Sequence, residues 1–158
     1  MSKDILLYEN GSGGEMKIIS GDIALVESLY TQVYLAFFGG NIEANTKGNE
    51  LKEQERFDYW ANSLLWQGKP KKQFNSNLER ALANTVYNAS GRIEIENAAK
   101  KDLEVFSGVV NTNVSISILS QSRIRIAVYL SGLNNGEESE LQFIWNNAKQ
   151  EIIIEENL

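Results

Sequence analysis

The sequence predicts an α+β domain with an N-terminal β-hairpin, about three helices and a C-terminal antiparallel sheet of three to four strands. Ahead of the last third, apolar residues recur at spacings of three and four, which places them on one face of a helix. In the last third they alternate with polar residues, as in strands buried on one face. The 158 residues, of which 42% are hydrophobic, suffice for one domain and are too few for two. We therefore expect a single domain spanning residues 1–158.

The first predicted element is the hairpin. Short apolar runs at 4–9 and 15–19 flank a glycine-rich segment at 10–14, which is typical of a turn between two strands. This segment lacks the lysine and the Ser/Thr of a phosphate-binding loop. Turn formation is therefore a sufficient explanation for its glycines.

The first helix is predicted over residues 23–38, where the apolar positions follow a helical spacing. Asp22 precedes them as a suitable N-cap. Gly39 follows the last apolar residue and suits the left-handed conformation that ends many helices.

A polar, charged stretch after this helix predicts a surface loop at about 41–56. Loops of this length in compact domains are often functional. We expect Gly39, Gly40 and Asn41 to shape the passage into this loop and to take part in partner binding.

An aromatic segment follows the loop at residues 57–66. Phe57, Tyr59, Trp60 and Trp66 fall within ten positions, and Trp and Tyr are enriched in interface hot spots. A plain core segment is the alternative for the same residues. We interpret these four side chains as partner-binding anchors.

Two more helices are predicted, over 75–87 and over 94–106, because their apolar residues recur at helical spacing. In the first of them Val86 is one of the apolar positions at helical spacing. Gly108 is a stop signal after the second.

Three strands are predicted around residues 114–118, 124–128 and 141–145, where side chains alternate between apolar and polar. Turn-like connections between them favour an antiparallel meander covered on one face by the helices. The apolar segment 151–155 adds a further edge strand or pairs with another chain.

Composition argues against most catalytic chemistry. The chain has no cysteine and no histidine, which removes thiolate metal sites, disulfides, the commonest metal ligand and the usual general base near neutral pH. We therefore expect no catalytic, cofactor-binding or metal-binding residues, and a protein that is not an enzyme.

Charge and hydropathy narrow the choice of partners. The formal charge of −6 disfavours nucleic acid, and the short basic stretch at 69–72 is typical of a solvated turn. No apolar run approaches the roughly 20 residues of a spanning helix. We expect a soluble cytoplasmic protein with neither nucleic acid nor membrane as partner.

Four segments resemble the small baseplate wedge proteins of Mu-like contractile phages, which are related to the sheath-initiator wedge subunits. These segments are Gly-Asp-Ile-Ala-Leu at 21–25, Ser-Leu-Tyr-Thr at 28–31, Asp-Tyr-Trp-Ala-Asn at 58–62 and Asp-Leu-Glu-Val-Phe at 102–106. The resemblance covers roughly residues 3–145.

The resemblance implies a structural subunit of a contractile phage-tail baseplate that acts by protein–protein docking. Its partners would be other baseplate and tail proteins, with the chain monomeric when isolated and present in several copies in the assembly. It would reside in the bacterial host cytoplasm during assembly and then in the virion tail.

Two alternatives stay open. One is an acidic binding or immunity-type module that captures a single protein partner. The other is a carboxylate-based hydrolase that uses Asp22 or Asp58 with a bound divalent ion.

Overall fold

The computed structural model describes residues 2–9, 14–39, 69, 75–132, 138–149 and 151–155. Within these residues the protein is an α+β structure with short N-terminal strands, three α-helices and a C-terminal four-stranded antiparallel sheet, as predicted. The strands are β1 Lys3–Ile5, β2 Leu7–Glu9, β3 Gly14–Met16, β4 Ile18–Ile19, β5 Asp22–Ile23, β6 Leu25–Glu27, β7 Asn111–Ile118, β8 Arg123–Ser131, β9 Ser139–Asn146 and β10 Glu151–Glu155. The helices are α1 Ser28–Phe38, α2 Asn77–Asn84 and α3 Ala89–Leu103, and a 3-10 turn at Glu104–Phe106 follows α3.

The six N-terminal strands form three two-stranded ribbons, β1–β6, β2–β3 and β4–β5, and the β2–β3 pair confirms the predicted hairpin. The ribbons meet at a closed cycle of backbone hydrogen bonds. The Leu6 N–H donates to the Ala24 carbonyl (2.9 Å), the Ala24 N–H to the Lys17 carbonyl (2.8 Å) and the Lys17 N–H to the Leu6 carbonyl (2.9 Å). Each residue gives and accepts one bond at the point where the ladders end. We call residues 3–27 the ribbon junction.

The predicted start of the first helix is wrong. Residues 22–23 form β5, residues 25–27 form β6, and α1 begins at Ser28. Pairing with the preceding strands, including Ile18 opposite Ile23, satisfies this backbone, and tertiary context outweighs the local helical spacing. Asp22 is consequently no helix cap, and its Oδ1 accepts a hydrogen bond from the Ile23 N–H (2.8 Å).

The first helix ends where the sequence predicts, but for a different reason. Gly39 follows it with a φ of −83°, in the right-handed region, and its N–H donates to the Leu35 carbonyl (2.7 Å). A Cβ at Gly39 would overlap the Leu35 carbonyl oxygen. Close backbone approach, not left-handed geometry, therefore favours glycine here.

Helix α2 is shorter than predicted, and α3 begins and ends earlier than predicted. Asn88 caps α3, since its Oδ1 accepts from the Gly91 N–H (2.9 Å), so residues 85–88 connect the two helices. Val86 lies in this connection with 74% of its surface exposed, so its predicted place among the apolar positions of the helix is wrong. Gly108, with φ of +82°, follows the 3-10 turn as the predicted stop.

A carboxylate from α3 caps the start of α2. The Asp102 Oδ1 accepts from the Asn77 backbone N–H (2.9 Å) and from its Nδ2 (2.7 Å), and Oδ2 accepts from the Leu78 N–H (2.7 Å). Burial raises the pKa of Asp102 to about 6, and the hydrogen bonds with Leu78 and Asn77 act in the opposite direction. Asp102 thus links α2 and α3 through hydrogen bonds.

The C-terminal sheet has the strand order β10-β9-β8-β7, which is the predicted meander with segment 151–155 as an added strand. Helix α1 packs an aromatic stripe against β9. Tyr30 stacks on Phe143 with ring centroids 5.4 Å apart, Phe37 meets Phe143 edge-on at 6.1 Å, and Phe38 stacks on Trp145 at 5.7 Å. This aromatic layer forms the centre of the core.

Candidate docking surface on the ribbon junction

Large apolar side chains are exposed on the ribbon junction. Every residue from 15 through 23 is exposed. The apolar members and their exposed fractions are Met16 50%, Ile18 56%, Ile19 54%, Ile23 43% and Leu25 60%. A concentration of this kind on a folded surface is typical of a protein interaction site.

Register places two of these side chains on one side of the β4–β5 ribbon, where Ile18 lies directly opposite Ile23. Met16 ends β3 and Leu25 begins β6, so they lie in the adjoining ribbons, across the junction where the ladders end. We call the four exposed side chains Met16, Ile18, Ile23 and Leu25 the apolar face. Ile19 lies on the other side, opposite Asp22.

A two-residue turn closes the β4–β5 ribbon. Ser20 and Gly21 have φ angles of 53° and 84°, and positive values at both positions match the right-handed twist of a tight hairpin. The turn carries no bulky side chain. The ribbon tip is therefore narrow and conformationally restricted.

The other side of the junction is held by the body of the protein. Leu7 of β2 belongs to the hydrophobic core with 8% exposure. The Thr31 hydroxyl of α1 donates to the Ile5 carbonyl (2.9 Å). The Tyr34 hydroxyl donates to a carboxylate oxygen of buried Glu9, and burial raises the pKa of both groups. The ribbons are thus anchored on α1.

Acidic groups predominate around the exposed apolar side chains. The exposed charged residues of the ribbon junction are Lys3, Asp4, Glu15, Lys17, Asp22 and Glu27. The ribbon junction therefore exposes four carboxylates and two ammonium groups. The Lys17 Nζ lies 5.0 Å from the centre of the Tyr8 ring, a cation–π geometry that occupies one of the two cations.

Most of the predicted partner-binding residues lie outside the described residues. These are Gly40, Asn41, Phe57, Tyr59, Trp60 and Trp66, together with the predicted loop at 41–56. Gly39 is described, at the C-terminal end of α1. The ribbon junction leads into the other end of this eleven-residue helix, so the two places are separated by roughly 16 Å along its axis.

Sequence reasoning missed the exposed isoleucines. The signal that could have found them is the Ser20-Gly21 dipeptide, a turn pair between Ile18-Ile19 and Ile23. Assigning Ile23 to a helix concealed it, because the helical spacing gave that residue a place on a buried face.

Metal ligands, a surface groove and helix length can be assessed for the described residues. Among them no group of three or more His, Cys, Asp or Glu side chains is arranged to hold a metal ion. A groove of about 370 Å³ between α2 and α3 has Ala81 and Ala98 among mostly polar or charged lining residues. No helix in the described ranges is long and apolar enough to cross a membrane.

Comparisons with protein-family models, curated proteins and solved structures give no match to this chain. The resemblance to baseplate wedge proteins consequently stays a prediction.

Proposed function

We propose that this protein is a structural subunit of a contractile phage-tail baseplate, as a wedge or sheath-initiating component, and that it docks through the ribbon junction. The observation that carries the proposal is the exposed apolar face of the junction together with Ile19. The sequence resemblance supplies the kind of assembly.

Energetics favour a docking role for these side chains. Burying one Ile, Leu or Met side chain contributes about 1.5–3 kcal/mol. The five apolar side chains forgo about half of this gain in the isolated chain, since 43–60% of each is exposed. Contact with another protein would recover it.

An edge strand supports the same role. β7 stands at the end of the sheet order, and no described residue pairs with its outer side. Its sequence, Asn-Thr-Asn-Val-Ser-Ile-Ser-Ile, has neither a charge nor a proline, the usual devices that protect an edge. It can therefore accept a strand from a neighbouring subunit.

The test is incorporation into tail particles. In cells that produce the particles, we expect the wild-type chain to sediment with tail-tube and sheath proteins at stoichiometric levels, measured by mass spectrometry. Ile18→Asp and Ile23→Asp should leave the chain in the supernatant, because a buried unpaired carboxylate opposes docking. Val86→Asp is the matched control, since Val86 is 74% exposed and lies outside the junction.

Two results would contradict the proposal separately. Absence of the wild-type chain from particles would reject the baseplate role. Normal incorporation of both isoleucine variants would reject the ribbon junction as the docking surface.

The predicted aromatic anchors are tested in the same assay. Trp60→Ala should lower incorporation by removing about 2 kcal/mol or more of binding free energy if Trp60 is a hot spot. Unchanged incorporation would remove Trp60 from the docking site.

The single-partner binding module is the second candidate, favoured by the excess of carboxylates around the apolar face. It predicts a one-to-one complex with a single protein and no sedimenting particle.

A further inference from the structure

The β4–β5 ribbon has a feature that a flat contact would leave unused. Its isoleucines lie on both faces, with Ile18 and Ile23 on one and Ile19 on the other. All three are 43–56% exposed. We call residues 17–24 the arm.

We infer that the arm inserts as a plug into a cleft on a different protein, with apolar walls on both sides of the ribbon, a basic residue that pairs with Asp22, and further basic residues at the mouth. This inference rests on the proposed docking function of the same surface and adds its binding mode and the chemistry of its partner.

Enclosure follows from the two-sided pattern. A partner lying flat on the ribbon would cover Ile18 and Ile23 and leave Ile19 in water. A cleft with two walls covers all three, and burial of each additional apolar side chain favours the complex.

The shape of the arm suits insertion. The tight turn at Ser20 and Gly21 ends the ribbon in two small residues. The hydrogen-bonded junction at Lys17 and Ala24 fixes its base. Since the arm is shaped before binding, little conformational entropy is lost on docking.

Charge adds a basic group to the cleft. Asp22 lies directly opposite Ile19 and beside the turn, so insertion carries its carboxylate into the cleft with that isoleucine. A buried carboxylate has to be paired, so a basic residue of the partner must reach Asp22. The exposed carboxylates of the whole ribbon junction outnumber its ammonium groups by two, and basic groups at the mouth would complement that excess and increase the rate of association.

The same charges argue against a second copy of this chain. Two copies that meet through equivalent faces would bring their acidic rims together, and each chain carries a formal charge of −6. The groove between α2 and α3 has Ala81 and Ala98 in an otherwise polar or charged lining, so it lacks apolar walls for three isoleucines.

Single-cysteine variants test the insertion, because the chain has no cysteine of its own. Ile18→Cys and Ile19→Cys report the two faces of the arm, and Val86→Cys is the exposed control. Maleimide labelling is measured on the purified full-length chain and on sedimented particles. We expect all three to react in the free chain, and the two arm variants to lose labelling in particles while Val86→Cys retains it.

The outcomes separate the inference from the function on which it rests. Protection of Ile18→Cys with a reactive Ile19→Cys would overturn insertion and leave docking intact. Reactivity of both in particles would overturn the docking surface as well. If both folded variants fail to enter particles that Val86→Cys enters, both faces are required for contact, which supports insertion.

A thiol-linked photocrosslinker on the same variants identifies the occupant. A product with a different protein supports the inference when Lys or Arg side chains of that protein lie beside the crosslinked residues. A product of twice the mass of the chain, or crosslinks to an acidic segment, would overturn it.

Discussion

The C-terminal sheet and the ribbon junction are both antiparallel β-structure, yet their isoleucines lie on opposite sides of the solvent boundary. Ile124 and Ile126 of β8 are 0% and 1% exposed, whereas Ile18 and Ile19 of β4 are 56% and 54% exposed. Apolar residues in the sheet therefore stabilise the fold, while those of the ribbon are available to another molecule. Substitutions in the two regions should separate stability from docking.

The largest expected effect is in the sheet. Phe143→Ala removes a ring that contacts Tyr30 and Phe37 and is 1% exposed, so the free energy of unfolding should fall by about 3–5 kcal/mol. Chemical denaturation measures the change. A loss below about 1 kcal/mol would contradict the central place of this ring, because that is typical of surface sites.

The next largest effect is a pH dependence of stability that Asp102 causes in the folded body of the protein. The pKa of Asp102 is raised from 3.8 to about 6 in the folded protein, so the folded state binds its proton more tightly than the unfolded chain does. This contribution to stability is fully present below about pH 4 and is lost as the pH rises to about 6. It amounts to at most about 3 kcal/mol, at 1.36 kcal/mol for each pKa unit.

Denaturation at several pH values, on the wild-type chain and on Asp102→Asn, isolates this contribution. The stability of the wild type should fall relative to that of the variant between about pH 4 and pH 6. Parallel profiles would contradict the assignment.

A smaller effect is expected from replacing either of two glycines with alanine. Gly21 in the arm and Gly108 after α3 have φ angles of +84° and +82°, and a Cβ at either would meet no atom within 4 Å. Gly→Ala should therefore cost about 1 kcal/mol at each, from backbone conformation alone. We expect Gly108→Ala to lower global stability in denaturation, and Gly21→Ala to increase amide hydrogen exchange within the arm.

Equal losses in the global free energy of unfolding for the two variants would contradict this expectation, since they would show that the arm unfolds together with the core.

The smallest effect on stability is expected in the arm. Ile18→Ala should change the free energy of unfolding by no more than about 0.5 kcal/mol, as for other exposed side chains. The same substitution should reduce incorporation into particles. Ile126→Ala is the buried counterpart and should cost about 2–5 kcal/mol. Comparable losses in denaturation would show that Ile18 belongs to the core.

Sequence reasoning found the elements whose pattern is local. The alternation in β7, β8 and β9 depends on neighbouring residues, and the predicted strands are confirmed. It failed where distant pairing decides, as in residues 22–27, whose apolar spacing fits a helix but whose backbone pairs with β1 and β4. The cap from Asp102 joins positions 24 and 25 residues apart, which no local pattern reveals.

The candidate site was less predictable than the fold. Exposure of Ile18 and Ile19 depends on which strands pair and what lies against them, whereas composition shows only that they are apolar. The aromatic anchors at Phe57, Tyr59, Trp60 and Trp66 lie outside the described residues and stay a prediction.

The cycle of hydrogen bonds among Leu6, Lys17 and Ala24 makes the reach of the arm adjustable. All three bonds lie at its base, so residues added towards the tip leave them unchanged. Two extra residues in each strand would lengthen the arm by about 6.6 Å and keep every side chain on its original face, since strands repeat every second residue. One extra residue in each strand would exchange the faces beyond the insertion. An even number of residues added to each strand is therefore the change that would fit the arm of such a protein to a deeper cleft while its attachment to α1 stays the same.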